Sequence, residues 1–159
     1  MYQIEFGGSF NAPTISPLKG VRGQPKVVRF LSKKGKVAPC HYKQGLGRFY
    51  CFQGSCCNDL ILNIYYAFPV YVYSSSAPTE EIGEVQYLSL VQSTYQKLLE
   101  QINGLQVDIT KVDIKVICDD DRYQKNSFFV LNQNWMSAFK NRDLLQKTLA
   151  EGLERFDKY

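Results

Sequence analysis

The spacing of apolar and polar residues changes several times along this 159-residue chain, and each change predicts an element. Near the start, Tyr2, Ile4 and Phe6 alternate with Gln3 and Glu5, the two-residue period of a short strand, and Gly7-Gly8 stops it. Asn11 to Pro25 contains Pro13, Pro17, Pro25, Gly20 and Gly23, which disfavour regular structure and predict a surface loop or arm. From Lys26 to Ser32, Val27, Arg29 and Leu31 fall on one side of a strand and Val28 and Phe30 on the other. Lys33-Lys34-Gly35-Lys36 then supplies a turn and Val37 to Lys43 a return strand, predicting a β-hairpin with a lysine tip. Gly45-Leu46-Gly47 marks a second turn, leading into Arg48 to Phe52. Asp59 to Tyr73 is strand-prone throughout. Pro69, which has no N–H for a ladder, divides it in two or places it at a sheet edge, with the first part central.

The period then lengthens. From about Glu84 to Ile102, Leu88, Val91, Tyr95, Leu98, Leu99 and Ile102 recur at three-and-four spacing, a helix with one apolar face that Asn103-Gly104 closes. Val112, Ile114, Val116 and Cys118 alternate with Asp113, Lys115 and Ile117, so a strand with one buried face follows. Asp119 to Asn126 is its turn and Ser127 to Leu131 the returning strand. The last segment, Asn134 to Phe156, carries Trp135, Phe139, Leu145, Leu149, Leu153 and Phe156 at helical spacing. Asn141 or Asp143 can act as an internal cap if it holds two helices, and Gly152 is a weak point. The expected fold is α+β. It has an N-terminal antiparallel β-rich half, one central helix, a further β-hairpin and a C-terminal helix packed on one face of the sheet, with both helices on that face. The length and the short Ser74-to-Pro78 connection favour a single domain over residues 1–159.

Composition adds exclusions. An apolar fraction of 45% with 21% charged residues rules out a charged disordered chain. No run reaches the roughly 18 apolar residues that a membrane span needs. The start of the chain has neither the basic nor the apolar region of a signal peptide, so a cytoplasmic setting is expected. Five cysteines, an odd number, argue for reduced thiols over a disulfide framework.

Charge changes the picture most. The formal net charge is only +4, yet residues 1–57 hold nine Lys/Arg against a single acid, Glu5, while the remainder holds ten against fourteen. Such asymmetry points to polyanion binding. The candidate nucleic-acid-binding residues are Lys26, Arg29, Lys33, Lys34, Lys36, Lys43, Arg48 and Tyr50, interleaved with Phe30, Tyr42, Phe49 and Phe52. Lysine and arginine neutralise phosphates, and exposed rings stack on unpaired bases. The competing structural explanation puts the aromatics in the core and uses the lysines to solvate the sheet or to meet the acidic half of the same molecule.

Three other clusters point to chemistry less strongly. Cys40-His41, Cys51 and Cys56-Cys57 could supply four zinc ligands, but they lack the C-x₂-C knuckle and equally suit small buried side chains. Cys40 beside His41 is a poor nucleophile–base pair, because neighbours on a strand point to opposite faces. Asp119-Asp120-Asp121 could hold Mg²⁺, but an Asp run before Arg122 and Asn126 reads better as a solvated turn. The expectation is therefore a small non-enzymatic nucleic-acid-binding protein, favouring single-stranded DNA or RNA because no basic helix is available, with no cofactor. The alternative is a protein-interaction module, such as an inhibitor or accessory subunit, whose opposite charges suit a protein partner or self-association.

Overall fold

The structure, a computed structural model, describes residues 5–9, 18, 24–43, 47–50, 61–75, 77, 79–118 and 126–158, with the backbone alone at 5–9, 38–43, 47–50 and 61–64. Its strands are β1 (Glu5–Ser9), β2 (Pro25–Phe30), β3 (Lys34–Lys43), β4 (Gly47–Tyr50), β5 (Ile61–Val72), β6 (Glu84–Val91), β7 (Ile114–Cys118) and β8 (Asn126–Val130). Helix α1 spans Gln92–Leu105 and α2 spans Arg142–Lys158, with 3₁₀ turns at Ile109–Lys111 and Trp135–Ala138. The described strands form one sheet in the order β1-β3-β5-β2-β7-β8, with β4 also on β3 and β6 also on β5. The fold is mixed α+β, as the periodicity predicts.

The spine of the sheet differs from the predicted lysine-tipped hairpin. Both β2 and β3 run antiparallel to β5 along the same edge, with Phe30 opposite Val70 and Lys36 opposite Ala67. They are thus two segments of one line, and the five residues 31–35 between them stand opposite only Phe68 and Pro69. The chain bulges outward and continues in the same direction. Pro69 explains why this is tolerated. Its carbonyl accepts a hydrogen bond from the Leu31 N–H at 3.0 Å, so its backbone polar groups face the interrupted edge. An intact ladder there would require a donor that proline lacks; a bulge requires none. Pro69 therefore leaves β5 undivided, and on its other side β5 pairs with β6 from Tyr65 to Val72. Gly35 contributes space: a Cβ there would lie 2.6 Å from the Phe68 ring.

Two further expectations are corrected. The segment from Glu84 to Val91 is strand, and the helix begins only at Gln92. Val91 ends β6 and is itself the N-cap of α1, without a side-chain capping bond, so no Gly, Pro or capping residue marks the passage. The helix ends at Gln106, in the left-handed region with φ 54°, beyond the expected Asn103-Gly104 stop. At the other end of the sheet, β1 includes Gly7 and Gly8 and pairs parallel to β3, with a register irregularity between Phe6 and Ser9. The predicted hairpins β3–β4 and β7–β8 are both antiparallel pairs.

The helices lie on opposite faces, not on one. Tyr65, Ala67, Tyr71 and Tyr73 of the β5 region pack with Trp135, Phe139, Leu145 and Phe156 on the α2 side. Phe68, Val70 and Val72 pack with Tyr95, Leu98 and Ile102 on the α1 side. The alternation along β5 thus feeds two cores, which is why this strand is apolar at nearly every position. Asn141 caps α2, its Oδ1 accepting from the Leu144 N–H at 3.1 Å. Gly152 is where α2 meets the sheet, since a Cβ there would come within 2.3 Å of Val85.

Candidate functional site

The cations of the β2–β3 line divide into two groups. Arg29 lies on the α2 side of the sheet, where its Nε donates to Asp113 Oδ1 at 3.0 Å and its Nη2 donates to Asn134 Oδ1 at 2.9 Å. Asp113 is fully buried and Arg29 is only 11% exposed. The same Asp113 Oδ1 accepts from the Tyr73 hydroxyl at 2.6 Å, and Oδ2 accepts from the Trp135 N–H at 2.7 Å. A buried carboxylate carrying a guanidinium and two further donors is a satisfied structural node. Burial, then the Asp113 hydrogen bond, pushes the Tyr73 hydroxyl far above the ordinary phenol range.

Lys36 is also engaged internally. Its Nζ donates to the carbonyls of Phe156 at 2.6 Å and Asp157 at 3.1 Å, and lies 4.9 Å from the centre of the Phe156 ring. It thus supplies positive charge to the last turn of α2, where carbonyls lack intrahelical partners. Loss of solvation lowers its pKa, against an opposing pull from Asp157.

Lys33 and Lys34 occupy the bulge and point outward. The Lys34 N–H donates to Ser32 Oγ at 3.0 Å, which closes the local turn, and the Lys34 side chain is exposed. Lys33 Nζ lies 3.2 Å from Asp108 Oδ2, with the lysine 52% and the aspartate 33% exposed. Asp108 Oδ1 accepts from the Thr110 N–H at 2.9 Å and from its hydroxyl at 2.7 Å. Burial raises the Asp108 pKa, but the Thr110 and Lys33 interactions outweigh it and leave the carboxyl below its usual value.

This contact sets the bulge against the Ile109–Lys111 turn and leaves an open groove of about 430 Å³ between them. Its apolar part consists of Phe30, Leu31, Met136 and Leu149. Its polar part among the described residues is cationic or hydroxylic, comprising Arg29, Ser32, Lys33, Thr110 and Lys111, with Asp108 paired to Lys33 beside it. The volume is in the range of small-ligand sites. A second cavity, beside Lys26, Leu18 and Cys118, measures only about 20 Å³, room for about one water.

Of the sequence-predicted site residues, Lys33 reaches this groove with an exposed side chain and Lys34 stands next to it. Arg29 lines it while bound to Asp113, Lys36 holds α2, and Lys26 is half-buried by the small cavity. Lys43 lies on β3 and Arg48 and Tyr50 on β4, paired as Lys43 with Gly47, Tyr42 with Arg48 and Cys40 with Tyr50. Phe30, a candidate stacking ring, is fully buried. Sequence reasoning missed Lys111, which lies in the acidic part of the chain and reaches the groove only through the fold, and Phe129, which is 51% exposed on β8.

Cys51, Cys56, Cys57 and the Asp119–Asp121 run fall outside the described residues, as do the side chains of Cys40 and His41, whose backbones pair with Tyr50 and Phe49. Among the described residues, no group of three or more His, Cys, Asp or Glu could hold a metal, and no helix is long and apolar enough to cross a membrane. Comparison of the chain with known protein families, with curated proteins and with solved structures returned no match.

Proposed function

We propose that this chain is a small non-enzymatic nucleic-acid-binding protein that favours single-stranded DNA or RNA. The observation that carries this reading is the convergence of exposed Lys33, paired with Asp108, and exposed Lys111 on one groove, with exposed Lys34 beside them. Such cations neutralise consecutive phosphates and release the counterions held there. The preference for a single strand is supported by the helices. Lys97 and Glu100 balance in α1, and four basic residues meet four acids in α2, so neither described helix has the basic excess that favours entry into a duplex major groove.

The test is fluorescence anisotropy with labelled single-stranded and duplex oligonucleotides of equal length. With about three lysines on phosphate, affinity for the single strand should fall roughly twentyfold between 50 and 200 mM salt. Reversing charge at Lys33→Glu and Lys34→Glu together should weaken it further. Lys36 is excluded from this set because its reversal would disturb the end of α2. Binding that ignores salt, or no binding at low salt, overturns the proposal.

A protein-interaction module is favoured by a different observation, the exposed Phe129 ring directly across from Lys115 on the neighbouring strand. Sizing chromatography at low and high salt separates the two. Salt-sensitive self-association without oligonucleotide binding supports the module.

A further inference from the structure

The groove has more structure than a patch of phosphate-neutralising charge requires. One part is apolar, formed by Leu31, Met136 and Leu149, and the other carries Lys33 and Lys111 with the hydroxyl-bearing Ser32 and Thr110. A nucleotide has the same division, a flat base joined to a charged phosphate. A surface that only tracks a backbone needs no apolar recess.

We propose that the groove holds one nucleotide unit, with its base over Leu31, Met136 and Leu149 and its phosphate between Lys33 and Lys111, and that Asp108 is the internal competitor for that phosphate. This rests on the nucleic-acid reading for its biological ligand, but the site itself can be tested without it. Asp108 Oδ2 holds Lys33 Nζ at 3.2 Å while Oδ1 receives both Thr110 donors. A phosphate entering between the lysines draws Lys33 away from Oδ2, and the Thr110 bonds keep Asp108 in place as it does so. The carboxylate therefore weakens anion binding in proportion to its charge, while its shape keeps the 3₁₀ turn in position. Asp108→Asn separates these effects, since an amide oxygen can still accept from Thr110 but carries no charge.

The experiment uses the full chain and two probes, thymidine 5′-monophosphate by calorimetry and a labelled oligothymidylate by anisotropy, each at low salt. Asp108→Asn should tighten both by about threefold, the scale of one partly exposed ion pair. Lys111→Gln should weaken both by about fivefold and reduce the oligonucleotide's salt slope by about 1. Lys140→Gln, which lies outside the groove lining, should change neither. All these positions are at least partly exposed, and a circular dichroism melt confirms that each variant is folded. If the oligonucleotide binds but ignores Lys111→Gln and Asp108→Asn, the groove assignment is wrong while the nucleic-acid reading stands. If the mononucleotide binds, responds to both substitutions, and the oligonucleotide does not bind, the groove stands and the nucleic-acid reading falls. Failure of both probes overturns both.

Discussion

Arg29, Lys33, Lys34 and Lys36 lie within eight consecutive residues of one basic stretch, yet they divide between two regions with different physics. Arg29 and Lys36 lie on either side of the bulge, on segments that pair with β5. One reaches buried Asp113 and the other the last carbonyls of α2. Lys33 and Lys34 lie where residues 31–35 have no ladder partner on β5, Lys34 already paired with Glu5 of β1, and both lysine side chains meet solvent. Position relative to the interruption, more than local charge density, decides whether a cation holds the fold together or faces outward. Part of the charge asymmetry is thus an internal match between the two halves of the chain, and the cations left exposed near the groove are Lys33, paired with Asp108, Lys34 and Lys111.

The sharpest way to break this comparison is to remove the anion that holds the internal group. Asp113→Ala leaves the nearly buried Arg29 without its counterion and orphans the Tyr73 hydroxyl and the Trp135 N–H. Removing one partner of a buried pair costs about 3–5 kcal/mol, a large part of the stability of a typical domain. Urea denaturation should show that loss. A midpoint shift equivalent to less than about 1 kcal/mol would mean the node is solvated and that Arg29 belongs with the outward cations. Replacing both partners, Arg29→Met with Asp113→Leu, should cost less than the two single changes added together.

A smaller effect is expected where α2 seats against the sheet. Gly152→Val introduces side-chain atoms where even a Cβ would lie 2.3 Å from Val85. Overpacking of this kind costs about 1–3 kcal/mol, and Val85→Ala in the same chain should recover part of it. If the helix shifts, Lys36 loses its acceptors at the same time, so a charge-removing Lys36→Met should cost less in the Gly152→Val background than in the native chain.

The node also makes a pH prediction. The Tyr73 pKa is raised in the folded state above its ordinary 10.0, so the unfolded chain gives up this proton first as pH rises. The stabilisation is fully present below pH 10.0 and is lost as pH climbs above it. Burial raises Tyr71 and Tyr95 in the same direction, so alkaline destabilisation is shared. Tyr73→Phe should flatten the slope without abolishing it, and should cost about 1.5 kcal/mol at neutral pH for the lost bond to a charged acceptor. An unchanged slope in thermal melts between pH 9 and 11 would remove Tyr73 from the node.

How much of this was legible depended on whether the deciding contact is local. Alternation placed β2, β7 and β8, because that signal arises within a few residues. The three-and-four spacing placed a helix in the last segment but began it at Asn134, whereas Trp135–Ala138 is a 3₁₀ turn and α2 starts at Arg142, after Asn141, one of the two internal caps the sequence offers. The passage from β6 to α1 was not legible, since Val91 serves both elements and Leu88, Val91 and Tyr95 satisfy a helical period while Leu88 and Leu90 pack as strand residues. Lys33-Lys34-Gly35-Lys36 has the chemistry of a hairpin turn. What makes it a bulge is Pro69 on a distant strand, which relieves the ladder of a donor at that point. The candidate site suffers from the same long range, because Lys111 joins Lys33 only once β7 has docked on β2. The pairing of Arg29 with Asp113 depends on the same docking, through the register that sets Val28 against Ile114.

The smallest stability effect belongs to the outward group, and it is the counterpart of the first prediction. Lys34 is exposed, and its structural bond is made by its backbone N–H to Ser32 Oγ, which Lys34→Ala retains. A surface substitution that leaves the backbone and its partners intact changes stability by no more than about 0.5 kcal/mol. Lys33→Ala gives up the ion pair with Asp108, which at 52% and 33% exposure is screened by solvent and is worth at most about 1 kcal/mol. The Lys33→Ala, Lys34→Ala double variant should therefore denature within about 1.5 kcal/mol of the native chain, while its affinity for a single strand falls and its salt slope shrinks by about 2. A double variant that loses stability on the scale of Asp113→Ala would show that the bulge lysines also hold the fold together, and the division between inward and outward cations would have no physical basis.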